Sequence, residues 1–265
     1  MNAGSRLSVL MYHAVYDGPA ERLALAPEER PYAVSRRDFE AQLDMLAGER
    51  LAVVDPGLPD GFGAGRAHGV LLTFDDGHRS WHRHVLPALR ERRLKGLFFV
   101  STGLVGTRQD YCDWTELAEL AAEGNCIGSH GVTHRFLDDL RGEPLVRELA
   151  DSRETIRARL GGPVTAIAFP GGRFRGRTLA NGRAAGYRFF YTSRIGIVAA
   201  QDVRRGLPVP RIAVRDGMSA AGFRALARGE PATMARHRAV AAAKTTARKL
   251  LGNRIYHGLY RKFAA

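Results

Sequence analysis

Leu72-Thr-Phe-Asp-Asp-Gly-His78 ends an apolar run that begins at Gly69, and it reads as a buried strand delivering two adjacent carboxylates, Asp75 and Asp76, to a turn. Gly77 suits that turn, where the backbone bends sharply and a side chain would intrude. A second stretch, Ile127-Gly-Ser-His-Gly-Val-Thr-His134, repeats the form: a short strand-like run over Cys126 to Ser129, then two imidazoles four residues apart. Parallel strands present functional residues at their carboxyl ends, so two such runs imply one sheet with its chemistry at one rim. Outward from them, strands are expected at 7–13, 69–74, 95–100, 126–129, 165–169, 188–192 and 209–214. Helices are expected at 35–48, 79–92, 114–123, 143–160, 177–185 and 219–228, several opened by cap-type residues, Ser35, Asp113 and Ser219. This alternation predicts an α/β fold, an irregular (β/α) barrel of about seven parallel strands. The barrel is expected over 1–230 as one catalytic unit, followed by a basic helical tail over 231–265.

The two motifs together spell a cation site. Two neutral imidazoles and one carboxylate fill three positions on a zinc-like ion and leave one open, the arrangement of hydrolytic rather than structural sites. That needs only one aspartate. Consecutive strand residues point to opposite sides, so the other is free to act as a base toward an attacking water. Alone, an H-x-x-x-H pair is usually an exposed helical pair, and an Asp-Asp-Gly a solvated turn; their joint occurrence after two strand-like runs favours the ligand reading. Zinc is the default for these donors, and cobalt, nickel or manganese accept the same set. His78, His82 and His84 follow the turn at spacings that put His78 and His82 on one helical face. An ion held there would leave His130 and His134 unexplained, so these three are read as a helix start or substrate rim.

Thr73-Phe-Asp-Asp-Gly77 and, more loosely, His130-Gly-Val-Thr-His134 resemble the first two motifs of the NodB-like polysaccharide deacetylases, carbohydrate esterase family four. Gly96-Leu-Phe-Phe-Val100 and Asp113-Trp-Thr-Glu-Leu117 are similar to that family's next strand and helix, so the resemblance covers roughly residues 6 to 215. It implies Asp75 as catalytic base and Asp76, His130 and His134 as ligands of a divalent metal. The family's third motif, R-x-P-Y, is only partly matched by Ala168-Phe-Pro-Gly-Gly172. Gly171 falls where the tyrosine would be, and its backbone N–H is expected to receive the oxyanion, a role that needs no side chain. The arginine that orients the base in the family is missing there. Arg173 and Arg211 are the candidates to replace it, and spacing along the chain does not choose between them; Trp114 is a further candidate for orientation or substrate contact. The late L-x-H motif, which supplies the histidine that protonates the leaving amine, is absent from Leu207 to Val214. The opening run Leu7-Ser-Val-Leu-Met-Tyr-His13 resembles the first strand of deacetylases whose late motifs are permuted to the front. His13 is therefore the expected general acid, its competitor being a histidine that merely caps a strand.

The activity so implied is metal-dependent removal of an N-acyl group, most simply N-acetyl, from an amino sugar in a saccharide or lipid-linked glycan. Two alternatives keep the fold: a deformylase or other non-peptide C–N hydrolase acting on a lipid-linked sugar, and a catalytically silent glycan-binding protein.

Composition limits the remaining classes. The net charge is +13, and between 231 and 265 there are eight Lys or Arg residues and no Asp or Glu. Ile255, Tyr256, Leu259, Tyr260 and Phe263 fall on one side of a helix there, which suits either an anionic membrane surface or docking on the barrel. No interleaved aromatic-basic signature lies outside this tail, so no nucleic acid partner is expected. No run is long and apolar enough to span a membrane, no secretory signal pattern opens the chain, and Cys112 and Cys126 read as reduced thiols. The expected location is the cytoplasm, with peripheral contact at the inner face of the membrane.

Overall fold

The computed structural model describes residues 5–49, 51–57, 68–240 and 242. The chain runs through β1 (Arg6–Tyr12), β2 (Val15–Tyr16), α1 (Pro19–Ala24), β3 (Val34–Ser35), α2 (Arg36–Gly48) and β4 (Ala52–Val53). Then come β5 (His68–Asp76), α3 (Leu86–Glu91), β6 (Leu97–Val100), α4 (Trp114–Ala122), β7 (Cys126–Ser129), α5 (Gly142–Leu160) and β8 (Ala166–Ala168). There follow α6 (Gly176–Ala184), β9 (Phe189–Tyr191), β10 (Val198–Ala199), α7 (Ala200–Arg204), β11 (Ile212–Ala213) and α8 (Ala220–Ala227). A further helix covers 231–240.

The strands β1, β5, β6, β7, β8 and β9 pair side by side in that order, all parallel. On its other side β1 pairs in parallel with β11. An isolated parallel bridge from Tyr191 to Val209 ties β9 to the segment entering β11. The sheet thus comes round on itself through seven segments, the barrel that the alternation predicts. β10 departs from it as an antiparallel partner of the first residues of β1, and β4 flanks the start of β5. The expected caps form: Ser35 accepts from the Asp38 amide, Ser219 from the Gly222 amide, and Asp113 with Glu116 makes a capping box on α4.

The period of two sorts β5 into two environments. Val70, Leu72 and Phe74 join the large core between sheet and helices, the Phe74 ring stacked with those of Tyr12 and Phe98. Leu71 points the other way, into the smaller core inside the barrel with Val9, Phe99 and Tyr191. Thr73 and Asp75 share the parity of Leu71, so the strand that buries apolar groups on both faces carries a carboxylate up the barrel axis.

The residues just beyond the boundary expected at 230 pack against the barrel. In the helix over 231–240, Met234 is buried in the sheet–helix core, and Arg238 Nε donates to the Ile195 carbonyl at 2.9 Å. The first turns of the expected tail therefore belong to the barrel wall. The predicted apolar stripe from Ile255 to Phe263 lies outside the described residues. Among the described residues, no helix is long and apolar enough to cross a membrane.

Candidate active site

The carboxyl ends of β5, β6 and β7 lie in register, Asp76 opposite Val100 and Val100 opposite Ser129. The His130 amide then donates to the Val100 carbonyl at 2.8 Å, which brings the first imidazole beside the acidic doublet. Asp76 Oδ1 lies 3.3 Å from His130 Nε2 and 3.1 Å from His134 Nε2. Three donor atoms from Asp76, His130 and His134 sit within 4.8 Å of one another, and among the described residues this is the one such group.

Two features show that this set fits a divalent cation. His130 Nδ1 lies 2.8 Å from the Ala168 carbonyl, which can only accept, so Nδ1 carries a proton and Nε2 is the ring atom turned toward Asp76, the one a cation would take. One carboxylate and two imidazoles are also the donor chemistry that zinc and its neighbours take. Burial works against charge on Asp76, but hydrogen bonds from His130 and His134 outweigh it and hold the carboxyl well below its usual range. At His134 burial favours the neutral ring, and the hydrogen bond and charge of Asp76 overcome it, raising the pKa.

Asp75 has a different environment. Arg211, 1% exposed, grips it with both guanidinium nitrogens, Nη1 to Oδ1 and Nη2 to Oδ2, each at 2.6 Å. Arg211 Nε also donates to the Thr192 carbonyl at 2.9 Å, and Nη1 to Thr73 Oγ1 at 3.3 Å. The fork fixes the orientation of the carboxylate as a bidentate pair does. Burial of Asp75 would raise its pKa; the Arg211 charge, then that of His130, brings it below the ordinary carboxylate value. Arg173, the other candidate for this task, sits elsewhere. It pairs with Asp138 at 3.0 Å and Asp139 at 2.8 Å and lies over the Phe136 ring. Gly171 and Gly172, at φ 62° and 68°, turn the chain before Arg173 can enter the barrel.

These groups open onto one cavity of about 640 Å³, lined by His13, Asp75, Asp76, His130, His134 and Gly171. The Trp81 indole donates to the His13 carbonyl at 2.9 Å, fixing the end of the first strand, and the His13 ring lies against Tyr32. Its Nδ1 is buried with no partner among the described residues. Burial lowers the His13 pKa, opposed by the charges of Asp76 and Asp75. Trp114 does not line the cavity; it opens α4, packs partly against the helix-facing core and lies under Arg159. His78 faces the cavity from an isolated bridge with Tyr111 rather than from a helix, its Nδ1 2.7 Å from the Ser80 hydroxyl. His82 and His84 pair instead with Glu119 and Glu21.

Sequence reading missed Glu148, which holds the ligand loop. Its carboxylate accepts from the amides of Val132, at 2.7 Å, and Thr133, at 3.1 Å, and from the Thr133 hydroxyl. A Cβ on Gly131 would come within 2.9 Å of Glu148 Oε2. The signal was present: Leu145, Glu148, Leu149, Ser152 and Ile156 form the buried stripe of α5, and a glutamate in such a stripe needs partners. Glu28, Glu29, Tyr32, Tyr111, Phe136, Arg215 and His237 also line the cavity without having been singled out.

Comparison with known proteins agrees with this geometry. Residues 63–190 match the polysaccharide deacetylase family. A Bacillus subtilis protein named for polysaccharide deacetylase activity, YxkH, is 26% identical over 225 residues, 83% of this chain and 75% of its own length. A chitooligosaccharide deacetylase of Rhizobium leguminosarum is 33% identical over 88 residues, 33% of this chain and 39% of that protein. The Streptococcus pyogenes deacetylase PplD, solved in complex with acetate, superposes with a TM-score of 0.71 at 25% identity, covering 82% of this chain and 95% of that one. Across most of its barrel the chain is thus similar to polysaccharide deacetylases.

Proposed function

We propose that this chain removes N-acetyl groups from amino sugars in a saccharide or lipid-linked glycan, as a metal-dependent hydrolase with zinc as its first-choice ion. The observation that carries the reading is the meeting, at one barrel mouth, of an arginine-clamped carboxylate and an Asp-His-His donor set. Relatives named as polysaccharide and chitooligosaccharide deacetylases support the choice of bond and substrate class.

Asp76, His130 and His134 would hold the ion, which supplies Lewis-acid polarisation of the amide carbonyl and of the attacking water. Asp75, fixed by Arg211, accepts the water proton as oxygen adds to the carbonyl carbon. The Gly171 N–H receives the oxyanion that develops there. His13 gives a proton to the sugar nitrogen as the C–N bond breaks, releasing acetate and a free amine.

The test is acetate release from N-acetylglucosamine oligomers, with the acid identified by mass to separate acetate from formate. Turnover is expected to vanish after chelation, to return with a divalent metal, and to be lost in Asp75→Asn while metal still binds. Turnover that survives either treatment refutes the mechanism.

A further inference from the structure

Phe136 is 43% exposed, whereas eight of the nine other described phenylalanines are buried, and it lies at the edge of the catalytic cavity two residues beyond His134. Leu137, next to it, is fully buried and anchors the turn. An aromatic ring left in water beside a reactive centre, on an anchored turn, marks a surface kept for a partner.

The ring is braced on two sides. The Arg173 guanidinium lies 4.6 Å from its centroid and is itself held by Asp138 and Asp139 on the same turn. The ring also rests on Gly171: a Cβ there would come within 2.7 Å of Phe136 Cε1. Phe136 thus takes the space that a side chain at position 171 would need, so the aromatic group at this rim comes from the turn after β7 rather than from the Pro-Gly-Gly turn.

We propose that Phe136, braced by Arg173, is a platform on which the sugar ring adjoining the deacylated residue stacks. A pyranose presents an apolar face of axial C–H groups, and a flat, held ring meets it with little loss of side-chain freedom. The platform rests on the amino-sugar reading above and adds where the second sugar sits. It also gives Arg173 a role at the rim, distinct from the orienting role of Arg211.

The experiment compares kcat/KM and KM for the N-acetylglucosamine tetramer and the monomer in the zinc-loaded enzyme. The wild type is expected to favour the tetramer, and Phe136→Ala to shrink that advantage about tenfold, chiefly through KM for the tetramer. Phe136→Leu, which still covers Gly171 but lacks a flat face, should behave like Phe136→Ala; Phe136→Tyr should keep the advantage, and Arg173→Ala should lose part of it. A tetramer advantage that survives in both Phe136→Ala and Phe136→Leu, or is missing from the wild type, overturns the platform and leaves the deacetylase reading standing. A wild type that releases acetate from neither sugar overturns that reading and the platform with it.

Discussion

Arg211→Met should cost far more stability than its exposed counterpart Arg173→Met. The Arg211 and Asp75 side chains are 0% and 4% exposed and share two contacts of 2.6 Å. Removing the cation strands a buried carboxylate, a change worth about 3–5 kcal/mol. That is a large part of the roughly 5–15 kcal/mol by which domains are stable, and corresponds to a fall in Tm of roughly 6–20 °C. Arg173, 35% exposed, contributes through ion pairs of which each is worth at most about 1 kcal/mol. Asp75→Asn combined with Arg211→Met removes both charges and should recover stability relative to Arg211→Met alone, since two neutral partners leave no stranded ion. Urea unfolding of chelator-stripped protein measures all four, so bound metal does not mask the differences. Activity after metal reloading should be lost in Arg211→Met and in the double variant alike. If Arg211→Met unfolds within about 1 kcal/mol of the parent, or the double variant is no more stable than the single one, the clamp is not the constraint inferred here.

Glu148→Ala should weaken metal binding about 10–100-fold, read by calorimetric titration of the stripped protein, because the loop between His130 and His134 loses three hydrogen bonds; Glu148→Gln, which keeps a carbonyl acceptor, should lose less. Gly172→Ala should be the worst of the glycine replacements, since its Cβ would lie 2.2 Å from the Ser193 amide nitrogen, whereas at Gly142 the Cβ meets nothing and only the left-handed backbone, about 1–2 kcal/mol, is at stake; urea midpoints should rank them so. His68 is held below its ordinary pKa of 6.5 by burial, against a hydrogen bond to the Ala227 carbonyl. Near pH 6 the unfolded chain therefore binds more protons, and stability falls as pH drops through that window; His68→Asn should make the loss between pH 7 and pH 5 shallower, and an unchanged slope counts against the argument.

Much of the barrel was legible because its strands and helices obey their own periods. The apolar run expected at 69–74 is the buried centre of β5, and the capped helix expected at 114–123 is α4 within one residue. Short elements escaped: α1, the β2–β3 pair and β10 have too few residues to show a period, and their pairing is set by neighbours far along the chain. The cluster of Asp76, His130 and His134 could be read because each histidine and carboxylate sits within a few residues of a strand end. The choice between Arg173 and Arg211 could not, because both are arginines near strands and only the closure of the sheet decides which enters its interior. Glu148 and Phe136 act across the fold on residues their sequence neighbourhood does not name.

One inference from periodicity was incomplete, and the reason bears on how the site works. Alternation sends consecutive strand residues to opposite faces, which separates the duties of Asp75 and Asp76 but does not account for both reaching one cavity. They do, because Asp76 leaves the extended conformation: its φ is 86°, and His134, which shares its cluster, has φ 58°. Arg93 is the one other non-glycine described with positive φ, so two of the three such residues belong to the donor set. Left-handed backbone at such residues costs on the order of 1–3 kcal/mol each and persists only where the surroundings over-determine it. For Asp76 the surroundings are the register with Val100 and the hydrogen bonds of two imidazoles. For His134 they include the loop tied down by Glu148. The bend at Asp76 lets one strand end supply two carboxylates with separate duties: the first stays on the barrel axis under Arg211, and the second swings over to the histidines. A regular strand would have given the cavity one carboxylate, and the base and the ligand would then have had to come from different strands.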